Sequence, residues 1–217
     1  RACSMKVLVT GGAGFIGYHL IMRLLSDGHK VVCVDNLNAY YDTKLKEERL
    51  KRFLDKVKFY KVDISDKEAL GLVFMEERID KICHLAAQAG VRYSLENPFV
   101  YADSNYTGTL NVLELAKRYD VKDIIFASTS SIYGLNEKMP LCEDDRVDEP
   151  VSIYAASKRA CELLGFSYCH LFDINLTALR FFTVYGEYGR PDMALFKFTK
   201  AMLSGEHIEV YNKGEME

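Results

Sequence analysis

No apolar run in this 217-residue chain approaches the roughly 18 residues that a membrane-spanning helix needs. The opening Arg1-Ala2-Cys3-Ser4-Met5 has no secretory apolar core either, so neither a span nor a leader is expected. Arg1 to Ser4 precede Met5 and are set aside from the fold reading. A dense Lys/Arg tract is also missing: 28 basic residues stand against 31 acidic ones, for a formal charge of −3. That balance offers no electrostatic footprint to nucleic acid or to an anionic membrane. The six cysteines include no Cys-x-x-Cys pair, and Cys33 and Cys83 sit in apolar β-like runs, as buried reduced thiols do. A reducing, cytoplasmic compartment is the expectation. No His/Cys/Asp/Glu constellation has metal-ligand spacing, so no metal is expected. Internal repeats and low-complexity linkers are lacking too, which excludes solenoids. What remains is an ordinary globular composition, 49% hydrophobic, of a length that suits one large domain or one domain and part of another.

Short β-branched runs alternate with segments of helical period. Lys6-Val7-Leu8-Val9-Thr10 reads as a first strand, followed by Ile16, Leu20, Ile21, Leu24 and Leu25 at helical spacing until Gly28. Further strands are expected over 30–34, 57–62, 81–86, 123–128 and 176–182, and helices over 43–54, 66–78, 98–119, 152–172 and 193–203. The 43–54 segment reads as a charged surface helix. Ser152 can cap the helix that follows it. Such alternation means right-handed crossovers and a parallel sheet with both faces covered, an α/β fold. The pattern changes near Gly186: Gly189-Arg190-Pro191 breaks the chain, and a strand over 208–211 ends in Asn212-Lys213-Gly214. Two parts are expected, a nucleotide-binding domain over 5–185 and the start of a smaller substrate lobe over 186–217, inside which the chain stops.

Gly11-Gly12-Ala13-Gly14-Phe15-Ile16-Gly17 follows the first strand and opens a helix, the context of a dinucleotide site. Gly11 permits the tight turn, Gly14 lets the backbone approach a pyrophosphate, and Gly17 lets helix and sheet pack. Asp35 ends the second strand 18 positions beyond Gly17, where an acidic residue accepts from the adenosine ribose and repels a 2′-phosphate. NAD is therefore favoured over NADP, although the same carboxylate could serve only the Asn36 turn. Asp63 and Ile64 could bracket the adenine. Tyr154-Ala-Ala-Ser-Lys158 puts a phenol and an ammonium on one helix face, where the charge would lower the phenol pKa and make it a usable base. Tyr40-x-x-x-Lys44 has the same spacing but lies in a polar loop, whereas Tyr154 follows a strand end bearing Ser128-Thr129-Ser130-Ser131. His84 reads as a packed strand histidine rather than a ligand.

Together the glycine motif, Asp35, Thr129 and Tyr154-x-x-x-Lys158 resemble the extended short-chain dehydrogenase/reductase superfamily, and within it the nucleotide-sugar epimerases. Three longer strings are similar to those of the UDP-glucuronate 4-epimerases. They are Asn38-Ala-Tyr-Tyr-Asp42, Ala86-Ala-Gln-Ala-Gly-Val-Arg-Tyr-Ser94 and Arg180-Phe-Phe-Thr-Val-Tyr-Gly186, the last continuing through Gly189-Arg-Pro-Asp-Met-Ala-Leu-Phe-Lys-Phe198. The resemblance implies a Rossmann-type doubly wound sheet, tightly bound NAD and a UDP-sugar substrate. It further implies that Tyr154 takes the 4-hydroxyl proton while hydride leaves C4, with Lys158 supporting Tyr154 and Thr129 bonding the same oxygen. Return of hydride to the other face of the rotated 4-keto sugar inverts C4. Related dehydratases and decarboxylases resemble Thr-Asp-Glu or Thr-Ser-Glu where this chain has Thr129-Ser130-Ser131. Without a carboxylate at 131, acid–base steps beyond C4 lack an agent, and epimerisation is left.

By the same resemblance Phe15, Ile16, Asn36, Asn38, Leu85, Ala86, Ala87, Asn105, Ser128 and Phe181 are cofactor-side residues. Gln88, Arg92, Ser94, Ser130, Ser131, Thr183, Arg190, Phe196 and Phe198 are substrate-side, with Arg190 as charged partner and the hydroxyls restraining the uronate carboxylate. For Phe196 and Phe198, packing of an apolar helix is the competing reading. The helices over 98–119 and 152–172 resemble those that pair between subunits, which implies a homodimer. Two other functions stay open: a 4-epimerase of neutral or N-acetylated UDP-hexoses, and an NAD-binding regulatory domain without turnover.

Overall fold

The computed structural model describes residues 4–208, so the expected strand and turn at the end of the chain lie, past Ile208, outside the described residues. Six parallel strands form one sheet: β1 (Lys6–Thr10), β2 (Lys30–Asp35), β3 (Lys58–Lys61), β4 (Lys81–His84), β5 (Asp123–Thr129) and β6 (Asn175–Phe181). Their order is β3-β2-β1-β4-β5-β6, with Val9 beside Cys33 on one flank and Cys83 on the other. The order reverses between β1 and β4, and a crevice opens there at the carboxyl ends of the strands. This is the doubly wound α/β sheet expected from the alternation.

The helices are α1 (Phe15–Ser26), α2 (Thr43–Lys51), α3 (Lys67–Glu76), α4 (Tyr93–Glu96), α5 (Phe99–Tyr101), α6 (Gly108–Arg118), α7 (Ile153–Phe172) and α8 (Ala194–Ser204). Side chains alternate across the pleat, so β1 feeds two cores. Leu8, with Val32, Ile82 and Ile124, packs on Leu70 and Phe74 of α3, Val112 and Leu115 of α6 and Tyr168 of α7. Val7 and Val9, with Val31, Cys33 and Cys83, pack on Tyr18 and Ile21 of α1 and on Leu50 and Phe53. Among the described residues the cysteines are free, and no helix is long and apolar enough to cross a membrane.

Among the described residues Ile125 and Leu179 at the β5–β6 end are 40% and 39% exposed and α8 buries none of its side chains. Two expectations need correction. The helix expected over 98–119 is not uniform: between α5 and α6 it widens into a π-helical turn, Ala102–Thr107. There the Asn105 carbonyl accepts from Cys161 Sγ at 3.2 Å rather than serving only its own helix. Finally, α2 is a charged surface helix on one side only: Lys44, Glu47, Glu48 and Lys51 are exposed, but Lys46, Arg49 and Leu50 are buried on its inner face.

Candidate functional site

A cleft of about 590 Å³ runs along the carboxyl ends of the strands, from the glycine loop to the segment after β6. Its β1 wall is made of backbone. Gly11 has φ +72°, and a Cβ there would lie 2.7 Å from the Ala86 nitrogen; at Gly17 it would lie 2.3 Å from the Gly11 oxygen. Only glycine permits that turn and that helix approach. Gly14 caps α1 without any side-chain bond, so the N–H groups of the first turn point into the cleft beside Gly14, Phe15 and Ile16 with their dipole available to an anion.

Beyond this loop lie Asp35, Asn36, Asn38, Asp63 and Ile64, all lining the cleft. Asp35 does serve the local turn, accepting from Leu37 N at 2.9 Å, but its other oxygen accepts from Ala13 N at 3.1 Å and so ties β2 to the glycine loop. A carboxylate has about four acceptor sites, so capacity for a ribose hydroxyl remains. Asn36 donates to Asp63 at 2.7 Å. Burial pushes the Asp63 carboxyl up, but bonds from Ser65 and Asn36 outweigh it and hold the group below the usual range.

At the other end Thr129, Ser130 and Ser131 follow β5, with Thr129 donating to Ser131 Oγ at 3.2 Å. Ser152 caps α7 by accepting from Ala155 N at 3.0 Å, and α7 then carries Tyr154 and Lys158 into the cleft. The expected lowering of the Tyr154 pKa is not what the geometry produces. Burial raises the phenol, Thr129 and the Arg190 charge pull it partly back, and Lys158 is not among the groups that shift it. Lys158 is itself pushed down to about 8 by burial, and its Nζ stands 4.2 Å from the centre of the Phe126 ring.

Leu85, Ala86, Ala87, Gln88, Arg92, Ser128, Phe181, Thr183 and Arg190 line the same cleft. Four expected residues do not. Asn105 lies behind the wall, accepting from Gln88 N at 2.7 Å and donating to Gln88 O and Ser157 Oγ, so it shapes the Gln88 turn instead of facing the cleft. Ser94 is fully buried and donates to Val91 O at 2.6 Å. Phe196 is 42% exposed and Phe198 half-buried, and it is Lys197 between them that reaches the cleft. His84 is packed: Nδ1 pairs with Thr10 at 2.7 Å and Nε2 with Thr109 at 3.0 Å, and burial pushes it down to about 3.

Several residues escaped the sequence reading. Lys46 donates to Asn38 Oδ1 at 3.1 Å and stands 3.6 Å from Asp35. Arg49, wholly buried, donates to Ala13 O at 3.0 Å, Tyr41 at 2.6 Å and Tyr188 O at 2.7 Å, joining the glycine loop to the segment after β6. Lys46, Arg49, Leu50 and Phe53 share helical spacing, a signal that two cations with one apolar face could have given. Tyr40, set aside as a loop residue, lines the cleft, and Lys44 is exposed. Among the described residues no cluster of His, Cys, Asp or Glu could hold a metal ion.

With this geometry in view, comparison with known proteins is decisive for family. The model of the NAD dependent epimerase/dehydratase family matches residues 7–217. The chain belongs to that family. A probable UDP-glucuronate 4-epimerase of Rhizobium meliloti is 50% identical over 214 residues, 98% of this chain and 63% of that protein. The solved UDP-glucuronic acid 4-epimerase of Bacillus cereus, in complex with UDP-glucuronic acid and NAD, superposes with a TM-score of 0.90 at 35% identity, over 97% of this chain and 67% of that one. A UDP-glucose 4-epimerase of Thermotoga maritima, with UDP-glucose, gives 0.89 at 36% identity over the same shares. The first relatives are spanned over only 64–66% of their length.

Proposed function

We propose that this chain carries the cofactor site and the reacting groups of a UDP-sugar 4-epimerase, and that its substrate is UDP-glucuronate, interconverted with UDP-galacturonate. The observation that carries the choice of substrate is the hydroxyl-only strand end, Thr129, Ser130 and Ser131, sharing one cleft with Tyr154, Thr183 and Arg190. Similarity to epimerases whose structures hold NAD and UDP-sugars supports the same reading.

The residues fit NAD. The glycine cradle has no space for a side chain, α1 offers its N-terminal N–H groups to a pyrophosphate, and buried Asp35 disfavours a 2′-phosphate. Gly11, Gly14, Phe15, Ile16 and Gly17 would hold the pyrophosphate, Asp35, Asn36, Asn38, Asp63 and Ile64 the adenosine, and Leu85, Ala86, Ala87, Ser128 and Phe181 the nicotinamide end. NAD, when bound, supplies reversible hydride exchange at C4. Tyr154 takes the 4-hydroxyl proton and returns it, and Thr129 hydrogen-bonds the same oxygen. Lys158, one helical turn on from Tyr154 and lining the same cleft, would hold the nicotinamide ribose. A 4-keto uronate is a β-keto acid; Ser130, Ser131, Thr183 and Arg190 hold its carboxylate out of line with the carbonyl and so suppress loss of CO₂. Gln88 and Arg92 complete the sugar-nucleotide wall. We place the domain boundary near 185, and propose a homodimer through α5–α7, where Phe99, Leu163 and Phe166 are exposed; sedimentation of the intact protein tests it.

The test of function is proton NMR of UDP-glucuronate with intact protein and no added NAD. UDP-galacturonate is the expected product. UDP-xylose would mean that the strand-end serines do not protect the carboxylate, and turnover of UDP-glucose alone would favour the neutral-sugar reading, which the Thermotoga maritima likeness supports. NAD binding without turnover of any UDP-sugar would leave a regulatory domain.

A further inference from the structure

The surroundings of Arg190 join three loops that are distant in sequence. Its guanidinium donates from Nε to Asp192 Oδ1 at 3.0 Å and from Nη2 to Asp192 Oδ2. Tyr40, from the loop after β2, donates to the same Oδ2 at 3.4 Å. The Tyr40 ring is 6.0 Å from the guanidinium and 5.1 Å from the Tyr93 ring at the start of α4, just past the loop after β4. A Cβ on Gly90 would come within 2.4 Å of the Tyr40 hydroxyl, so this closure requires glycine at 90. Arg49 pins the near end of the Arg190 segment through the Tyr188 carbonyl. Arg190, Asp192 and Tyr40 all line the cleft alongside Thr129, Ser131 and Tyr154.

The pair with Asp192 engages the Nε edge of the guanidinium, which fixes the direction of the other edge, Nη1 with the second Nη2 proton. We propose that Asp192, braced by Tyr40, is a specificity-determining positioning residue that holds Arg190 with this second edge turned to the carboxylate of an acidic sugar. The inference rests on the reading of the substrate as a uronate. An arginine without such a partner must be immobilised by the ligand, at the expense of affinity for the one substrate that uses it. Asp192 is itself an anion in the cleft, so it aids a carboxylate only while its charge is spent on Arg190. A neutral sugar has nothing to gain from the arrangement.

Calorimetric titration of the intact, NAD-loaded protein with UDP-glucuronate and with UDP-glucose tests this, on wild type, Asp192→Asn and Tyr40→Phe. Both variants are near-isosteric, and unchanged melting curves establish that they fold. The preference for UDP-glucuronate, read as the ratio of the two dissociation constants, should fall about tenfold in Asp192→Asn and about threefold in Tyr40→Phe. A second readout separates positioning from mere scaffolding. With Asp192 neutralised, the full Arg190 charge acts on Tyr154, and the acidic limb of the pH–rate profile should move to lower pH. An unchanged ratio, a preference that rises, or equal weakening of both nucleotides overturns the inference while the substrate reading stands. A wild type that does not prefer UDP-glucuronate overturns the substrate reading and takes the inference with it.

Discussion

At the β1 side of the cleft shape comes from backbone pressed on backbone: Gly17 sits where any Cβ would strike the Gly11 oxygen at 2.3 Å, and Gly11 packs on Ala86. At the β5 side shape comes from buried charge. Glu162 of α7 accepts from Ser128 Oγ at 2.6 Å, Arg159 at 3.1 Å and Arg180 at 3.1 and 3.2 Å, and Arg180 reaches on to Tyr133 and the Glu143 carbonyl. The first wall depends on the absence of atoms at Gly11 and Gly17, although buried Asp35 and Arg49 also tie its loop at Ala13. The second depends on ionised partners from α7 and β6 and on a hydroxyl from β5. On the proposed reading, a chemically constant cofactor would rest against one wall and a proton move at the other, which gives use to both kinds of construction.

The sharpest way to separate the walls is Tyr154→Phe. Removing one hydroxyl from the β5 side should lower epimerisation about a thousandfold, the scale of a general acid–base group, with NAD content of the purified protein unchanged. Near-normal turnover by this variant, measured by NMR of the UDP-sugars, would remove Tyr154 from the proton transfer. Gly17→Ala should do the converse. One methyl against the Gly11 carbonyl costs about 2–3 kcal/mol of overpacking, and NAD content should drop while the Tyr154 side is untouched. Absorbance of released cofactor and a urea melt measure both effects. Full NAD content in Gly17→Ala would mean that the loop can relax and that the glycine wall tolerates a side chain.

How far each wall was legible in the sequence follows from the same difference. The glycine loop is a local object: strand, turn and helix start lie within twelve residues, and its closest steric demand, Gly17 on Gly11, falls inside that span. The order of strands and most of their bounds follow from period and crossover rules, so the fold was legible as well. Arg49 was not, because a cation is buried only where acceptors receive it, here the distant carbonyls of Ala13 and Tyr188; Lys46 is received by Asn38 and Asp35, polar groups that the chain pattern alone does not aim at it. Tyr40 lacked a visible partner because Asp192 lies 152 positions away. Motif likeness overreached in the opposite sense at Ser94 and Asn105, polar residues that satisfy buried backbone groups beside the cleft. Polarity in a motif marks a demand for hydrogen bonds, and tertiary structure decides whether a ligand or the chain itself supplies them.

The smallest effect expected, and the one most specific to the charged wall, concerns Glu162. Burial pushes its carboxyl up, but bonds from Arg180 and Ser128 and the charges of Arg180 and Arg159 win, leaving it below its ordinary value near 4.5. A folded-state pKa held below the unfolded one gives stability that is present above about pH 4.5 and is lost as pH falls through the lower folded value. Glu162→Gln keeps the shape but replaces charge-assisted bonds with neutral ones, and should cost about 1–2 kcal/mol at pH 7. Because the wild type forfeits the same stabilisation in acid, the gap between the two proteins should close as pH is lowered from 5 towards 3, which chemical denaturation at a series of pH values measures. A gap constant with pH would mean that Glu162 contributes through shape alone. That result would make charge dispensable at the β5 wall and leave Arg180 as a steric prop for the strand end that carries Thr129.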